Sequence, residues 1–147
     1  VVVSSAPQIR YPDCYGIDMA KLEDFVAFKA AKALHEDHGT THLIKEIYEK
    51  CLTQTDPSNK DAVNYVKEFY APFSAKQISK KIGEILSPEG INAEVEIIYQ
   101  TIEGLHSACP HNLGDWYFTG NYPTPGGNRI VNKAFVNFFE GKNQRAY

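Results

Sequence analysis

Imidazole, thiol and guanidinium groups gather at three places in the chain. His35, His38 and His42 have the residue type for a zinc site, but the third lies beyond Gly39, on a different element from the first two. Structural zinc needs four ligands in a tetrahedron. Imidazoles favoured by a helix dipole at its C-terminal end fit this spacing better. His106, Cys109 and His111 stand closer together and include a thiol. Pro110 pushes Cys109 into extended backbone, so the three could converge on one zinc. No CxxC pair and no fourth ligand accompany them. A nucleophilic Cys109–His111 pair would lack an orienting third group. No metal site is assigned.

The third place is Arg10 to Asp18, which mixes Arg, two Tyr and two Asp on irregular backbone. Arg10 is a candidate phosphate contact, and Asp18 could accept from a base or a hydroxyl. The competing reading is a structural Arg–Asp pair, with Asp18 capping the helix that follows. Asp115-Trp116-Tyr117-Phe118 could stack a base or a sugar, although aromatics in a short strand are more often core. The sequence holds no Gly-rich phosphate loop, no paired Asp-Asp and no activated nucleophile. It therefore lacks a complete catalytic constellation.

The elements that must position these residues follow from periodicity and punctuation. Val1-Val2-Val3 reads as the tail of a strand buried on both faces. Pro7 and Pro12 keep the next segment extended. Loops leaving the carboxyl end of a parallel strand are where α/β folds bind ligands. A first helix is expected from Ala20 to His38, stopped by Gly39, with Leu22, Phe25, Val26, Ala30, Ala33 and Leu34 inward. A second, capped by Thr40 or Thr41, carries Ile44, Ile47, Tyr48, Cys51 and Leu52. A third, capped by Ser58, carries Ala62, Val63, Val66, Phe69 and Tyr70. Ser74 and Gln77 form a capping box for a fourth, with Ile78, Ile82, Ile85 and Leu86. Asn92 caps a fifth, with Ile97, Ile98, Thr101, Ile102 and Leu105 inward. Asp115–Thr119 reads as a strand, and Gly120–Gly127 as turn or extended coil. A last helix carries Ile130, Val131, Ala134, Phe135, Phe138 and Phe139, with Gly141 as its stop. The expectation is a mainly α chain with a few short strands.

The 147 residues amount to one domain, with 43% hydrophobic and 22% charged residues. These are ordinary globular values. Fifteen basic and 18 acidic residues give a formal charge of −3 without a run of either sign, which argues against a nucleic-acid footprint. No apolar stretch approaches the ~20 residues of a membrane span. Three widely spaced cysteines, Cys14, Cys51 and Cys109, suit a reduced intracellular protein. A three-residue strand makes no sheet by itself. The bare valine start therefore reads as a fragment whose sheet neighbours lie upstream.

Two stretches resemble a known family. Ser4-Ser5-Ala6-Pro7-Gln8-Ile9-Arg10-Tyr11-Pro12 through Tyr15-Gly16-Ile17-Asp18-Met19 resembles the segment downstream of the phosphoribosyl-pyrophosphate loop in glutamine amidophosphoribosyltransferases. Tyr117-Phe118-Thr119-Gly120-Asn121-Tyr122-Pro123-Thr124 resembles that family's C-terminal strand and turn. The residues between match poorly. The resemblance implies the C-terminal part of an α/β type I phosphoribosyltransferase domain plus a helical extension. Residues 1–19 would be strand and loop from its sheet, 20–114 a helical region, some of whose helices look like an insertion, and 115–147 a C-terminal strand, turn and helix.

That family makes 5-phosphoribosylamine from phosphoribosyl pyrophosphate and glutamine, the first step of de novo purine biosynthesis. Its terminal cysteine and its Asp-Asp phosphoribose loop would both lie upstream of Val1. The chain itself would thus be catalytically silent, and structural and regulatory in role. Implied partners are the upstream catalytic half, the two substrates and purine nucleotides, in a cytoplasmic homo-oligomer with no nucleic acid or membrane. Mg²⁺ would serve the full-length enzyme and none would bind this piece. Some relatives carry an iron–sulfur cluster on cysteines whose positions here are Asp13, Gly114 and Tyr117. Cys14 is one residue out of place and Cys109 lies too far upstream, so the cluster is expected to be absent. The motif bordering the family's nucleotide site falls on Tyr15, Gly16, Ile17, Asp18 and Met19. The alternative is a self-contained helical protein-interaction module without catalysis.

Overall fold

A computed structural model describes residues 1–16, 19–111 and 114–147. The chain is mainly helical with one small sheet. Its elements are β1 (Val2–Ser4), a 3-10 turn (Leu22–Asp24), α1 (Val26–Asp37), α2 (His42–Leu52), α3 (Lys67–Tyr70), α4 (Ala75–Leu86), β2 (Ile97–Tyr99), α5 (Ile102–Ala108), α6 (Trp116–Thr119) and α7 (Pro125–Phe139). Among the described residues, no helix is long and apolar enough to cross a membrane.

The core is aromatic. Phe28 on α1 stacks on Phe69 at 4.6 Å, and Phe135 meets Phe69 edge-on at 5.5 Å. Ala30, Ala31 and Leu34 bury one face of α1, which packs on α4. Ile78 and Ile82 are fully buried on α4. Each such side chain contributes about 1.5–3 kcal/mol on burial. The Ser74–Gln77 capping box forms as expected, with Gln77 N–H donating to Ser74 Oγ at 3.2 Å and Ser74 N–H to Gln77 Oε1 at 2.8 Å. Gly83 lets α4 lie against the approach to β2, because a Cβ there would stand 2.5 Å from the Val95 carbonyl oxygen.

Several expectations are corrected. The first helix is interrupted at Phe25, which is extended at φ −83° and ψ 125°. One 3-10 turn repeats every three residues, so it buries Leu22 and Phe25 with the same i, i+3 spacing as a helix. The third helix shrinks to Lys67–Tyr70, because side chains take the backbone groups that a helix would use. Asn132 on α7 accepts from Tyr65 N–H at 3.1 Å and donates to the Val63 carbonyl at 2.7 Å. Asn128 donates to the Ala62 carbonyl, and Asn64 Oδ1 accepts from Val66 N–H. Ile97–Tyr99 is a strand rather than helix, and Thr101 caps α5 by accepting from Gly104 N–H at 2.9 Å.

Asp115–Thr119 is no strand either. It makes one helical turn closed by Gly120, whose φ of +71° suits a helix C-cap. α7 begins at Pro125, inside the expected coil, with proline in the first turn and Thr124 as cap. Leu52, Ile85, Leu86 and Phe139 lie on expected inward faces but are exposed.

The valines depart from expectation most. β1 pairs in parallel with β2, in the register Val2↔Ile97, Val3↔Ile98 and Ser4↔Tyr99. Yet Val1, Val2 and Val3 are 80%, 56% and 72% exposed. Strand propensity found a partner within the chain, but among the described residues little covers the valine side chains.

His35 answers the first histidine group. It is buried between the Phe69 and Phe73 rings. Nε2 lies 2.9 Å from the Phe69 carbonyl, so it must carry the proton and donate. Nδ1 then accepts from the Thr40 hydroxyl at 2.9 Å. His38 packs near Phe73 instead. Burial holds the His35 pKa below its ordinary 6.5. Below about pH 6.5 the unfolded chain takes up a proton that the folded chain refuses. Stability is therefore full above that pH and falls towards acid, by at most about 1.4 kcal/mol per unit for this group. His35→Phe strands the Phe69 carbonyl and should cost about 1–3 kcal/mol at pH 7. It should also flatten the decline between pH 6.5 and 5 in urea denaturation.

Candidate functional site

Both strands end at the same side of the sheet, and the chain leaves each one along a cleft of ≈ 520 Å³. Residues just past β1 (Pro7, Gln8, Arg10) and just past β2 (Thr101, Ile102, Glu103) line it, with Ser79 of α4 and Phe118 of α6. This is where open parallel sheets bind ligands.

The β1 segment is extended and cannot form a ladder of its own, so its polar groups find partners across the fold. Arg10 and Tyr11 donate their N–H groups to the Tyr117 carbonyl at 2.9 and 3.1 Å. The Arg10 carbonyl accepts from the Tyr70 hydroxyl at 2.7 Å. The Tyr122 hydroxyl donates to the Pro12 carbonyl. Asp13 is fully buried; Oδ1 accepts from the Tyr117 hydroxyl at 2.8 Å and Oδ2 from Tyr15 N–H at 3.0 Å. Asp13 N–H donates to the Met19 carbonyl at 2.7 Å. Gly16, at φ +107°, occupies the turn between them. Tyr15 is half-exposed, with its ring edge on Trp116 at 5.3 Å and its hydroxyl 3.5 Å from Thr124 Oγ1.

The tyrosine hydroxyls and cysteine thiols here stay protonated near neutral pH. Burial pushes Tyr11 up to about 12. Burial and then the bond to Asp13 push Tyr117 up to about 12. Burial raises Tyr122 further. Burial lifts the Cys14 thiol to about 11 and Cys51 to about 12. Neither supplies the thiolate that nucleophilic or metal chemistry needs.

The candidate residues thus separate. Arg10 lines the cleft, whereas Tyr15, Gly16 and Met19 lie outside it. Ile17 and Asp18 fall outside the described residues, and with them the expected Asp18 cap and Arg10–Asp18 pair. His106 Nε2 meets Asp115 Oδ2 at 2.7 Å, while Cys109 is exposed. Among the described residues, no three His, Cys, Asp or Glu gather where they could hold a metal ion. What sequence reasoning missed is Gln8, Ser79 and the acceptor role of Tyr117. Gln8 lies just before the Arg10–Asp18 segment, but an amide between Pro7 and Ile9 carries no local signal of burial.

Gln8, Arg10 and Lys76 line this cleft together with two carboxylates, Glu96 and Glu103. The arrangement suits binding of a polar small molecule and contains no nucleophile–base pair. No family model, curated protein or solved structure matches the chain.

Tyr117→Phe keeps the ring but removes one donor from a buried carboxylate. The substitution should cost about 1–3 kcal/mol, read as a lower urea midpoint with unchanged slope.

Proposed function

We propose that the chain is the C-terminal region of a glutamine amidophosphoribosyltransferase, which walls the active site and presents a nucleotide-responsive edge rather than supplying the chemistry. One observation carries the reading. The two segments that resemble the family lie about a hundred residues apart in sequence, yet they pack on one another as a single seam. Arg10, Tyr11, Pro12, Asp13 and Tyr15 bond to Tyr117, Tyr122 and Thr124. Asp13 and Tyr117 occupy positions where cluster-bearing relatives would place cysteines, and their side chains touch. Contact between positions that the resemblance groups together is what common ancestry would produce.

The sheet supports the same reading. Parallel sheets are covered on both faces in α/β folds, and a two-stranded sheet is marginal. The bare faces of Val1–Val3 fit a strand whose remaining neighbours come from the catalytic half. In this reading phosphoribosyl pyrophosphate, Mg²⁺ and glutamine are handled upstream. Purine nucleotide acts near Tyr15–Met19, and Arg10 contacts phosphate. The enzyme is a cytoplasmic homo-oligomer.

The test uses the full-length enzyme. Wild type should release pyrophosphate from phosphoribosyl pyrophosphate in a glutamine-dependent way, with inhibition by purine nucleotides. Asp18→Ala should keep glutaminase activity and lose most of that inhibition. No pyrophosphate release from wild type would leave the helical interaction module as the better account. Unchanged inhibition in Asp18→Ala would remove the regulatory role from this edge.

A further inference from the structure

Arg10 is a cation held in place without an anion. Its guanidinium lies over the Tyr70 ring, 5.4 Å from the centroid. Nε and Nη2 donate to Gln8 Oε1 at 3.1 and 2.7 Å. No ion pair involves Arg10 among the described residues. Partly buried charges ordinarily have a counter-charge, because desolvation is costly. Here the holder is a neutral amide, which leaves the positive charge whole.

That amide is itself fixed. Gln8 is 4% exposed. Nε2 donates to the Ala75 carbonyl at 2.8 Å and to Ser79 Oγ at 2.7 Å, both on α4. A flipped amide would turn its hydrogens on the guanidinium and its oxygen on a carbonyl. One orientation therefore survives, and it presents Oε1 to Arg10. A guanidinium has five N–H donors and Gln8 takes two of them, so three are left for a ligand.

We infer that the cleft beyond the two strand ends binds a small phosphorylated polyol, with Arg10 on the phosphate and Gln8 as the positioning residue that aims Arg10. Planar, forked donors match a phosphate oxygen pair, and Lys76 on the same wall supplies a second cation. Glu96 and Glu103 line the cleft as well. They accept hydroxyl hydrogens and oppose a bare polyanion, which favours an ester carrying hydroxyls over inorganic phosphate. Tyr99, Ile102 and Phe118 give the carbon skeleton an apolar wall. A volume of ≈ 520 Å³ lies in the range of small-molecule sites. The inference takes from the proposed function only the phosphate contact at Arg10; Tyr15, Gly16 and Met19 lie outside its cleft.

Calorimetric titration of the 147-residue chain with glucose 6-phosphate, glucose and inorganic phosphate tests this. Glucose 6-phosphate should bind at least tenfold more tightly than either other probe. Arg10→Met should weaken it tenfold or more. Gln8→Glu keeps the shape but sets a carboxylate against the guanidinium, and it should lose at least as much. Gln8→Met leaves the charge but not its aim, and it should lose less than Gln8→Glu. A merely structural glutamine would not produce that order. Circular dichroism checks folding, and Arg10→Met decides the matter if a Gln8 variant unfolds. Absent binding by wild type, equal binding by Arg10→Met, or glucose binding as well as its phosphate would overturn the site. None of these outcomes touches the pyrophosphate and inhibition assays that test the family reading, and failure there leaves this binding result standing.

Discussion

Tyr117 is the residue on which the two ends of the chain meet. Its carbonyl takes two consecutive N–H groups from Arg10 and Tyr11, and its hydroxyl reaches buried Asp13. The segment after β1 needs this, because two prolines and an irregular backbone deny it a helix or a ladder. Buried backbone groups without partners would cost more than a short loop can return. The one-turn helix α6 is the device that supplies them. Gly120 ends that turn at positive φ, where a Cβ would stand 2.8 Å from the Tyr11 ring. The left-handed cap and the close approach to Tyr11 thus demand glycine for separate reasons.

The second constraint is carried by polar side chains of α7. Asn128 and Asn132 reach across to hold the backbone of 62–65 in an irregular path. Asn132 is wholly buried, and it makes bonds to residues 63, 65 and 128. A satisfied buried amide fixes one arrangement, because any shift strands a donor or an acceptor. This path leads into Phe69 and Tyr70, which build the core and seat Arg10.

Legibility in the sequence follows the range of the forces. α4 and its capping box rest on residues within one turn of each other, and both were readable. So were α2 and most of α7, whose apolar faces repeat at helical spacing. What failed depends on distant partners. Residues 58–66 carry helical spacing, but the asparagines that unwind them lie on α7. Ile97–Tyr99 fits either period, and only pairing with β1 decides for strand. Trp116–Thr119 has strand-forming residues, yet a glycine cap and the demands of the β1 segment make it a turn of helix. In the site, Arg10 was visible as a charged residue on irregular backbone. Gln8 was not, because its role exists only through Ala75 and Ser79, some seventy residues away.

The position of Arg10 follows from this geometry rather than from any local motif. A parallel pair sends both chains out at one end, so the residues after Ser4 and after Tyr99 must diverge. α4 packs against β2 and fills one side of the opening, and α6 fills another. The gap between them is the cleft, and the first long cation after β1 stands at its wall. A carboxylate at Gln8 would be the simplest way to settle that cation, and an ion pair there would close the site to anions. The amide settles its direction while leaving its charge unspent. An arginine that is oriented but not neutralised satisfies both requirements of an anion-binding group: it loses little entropy on contact and, among the described residues, has no ion-paired carboxylate to displace.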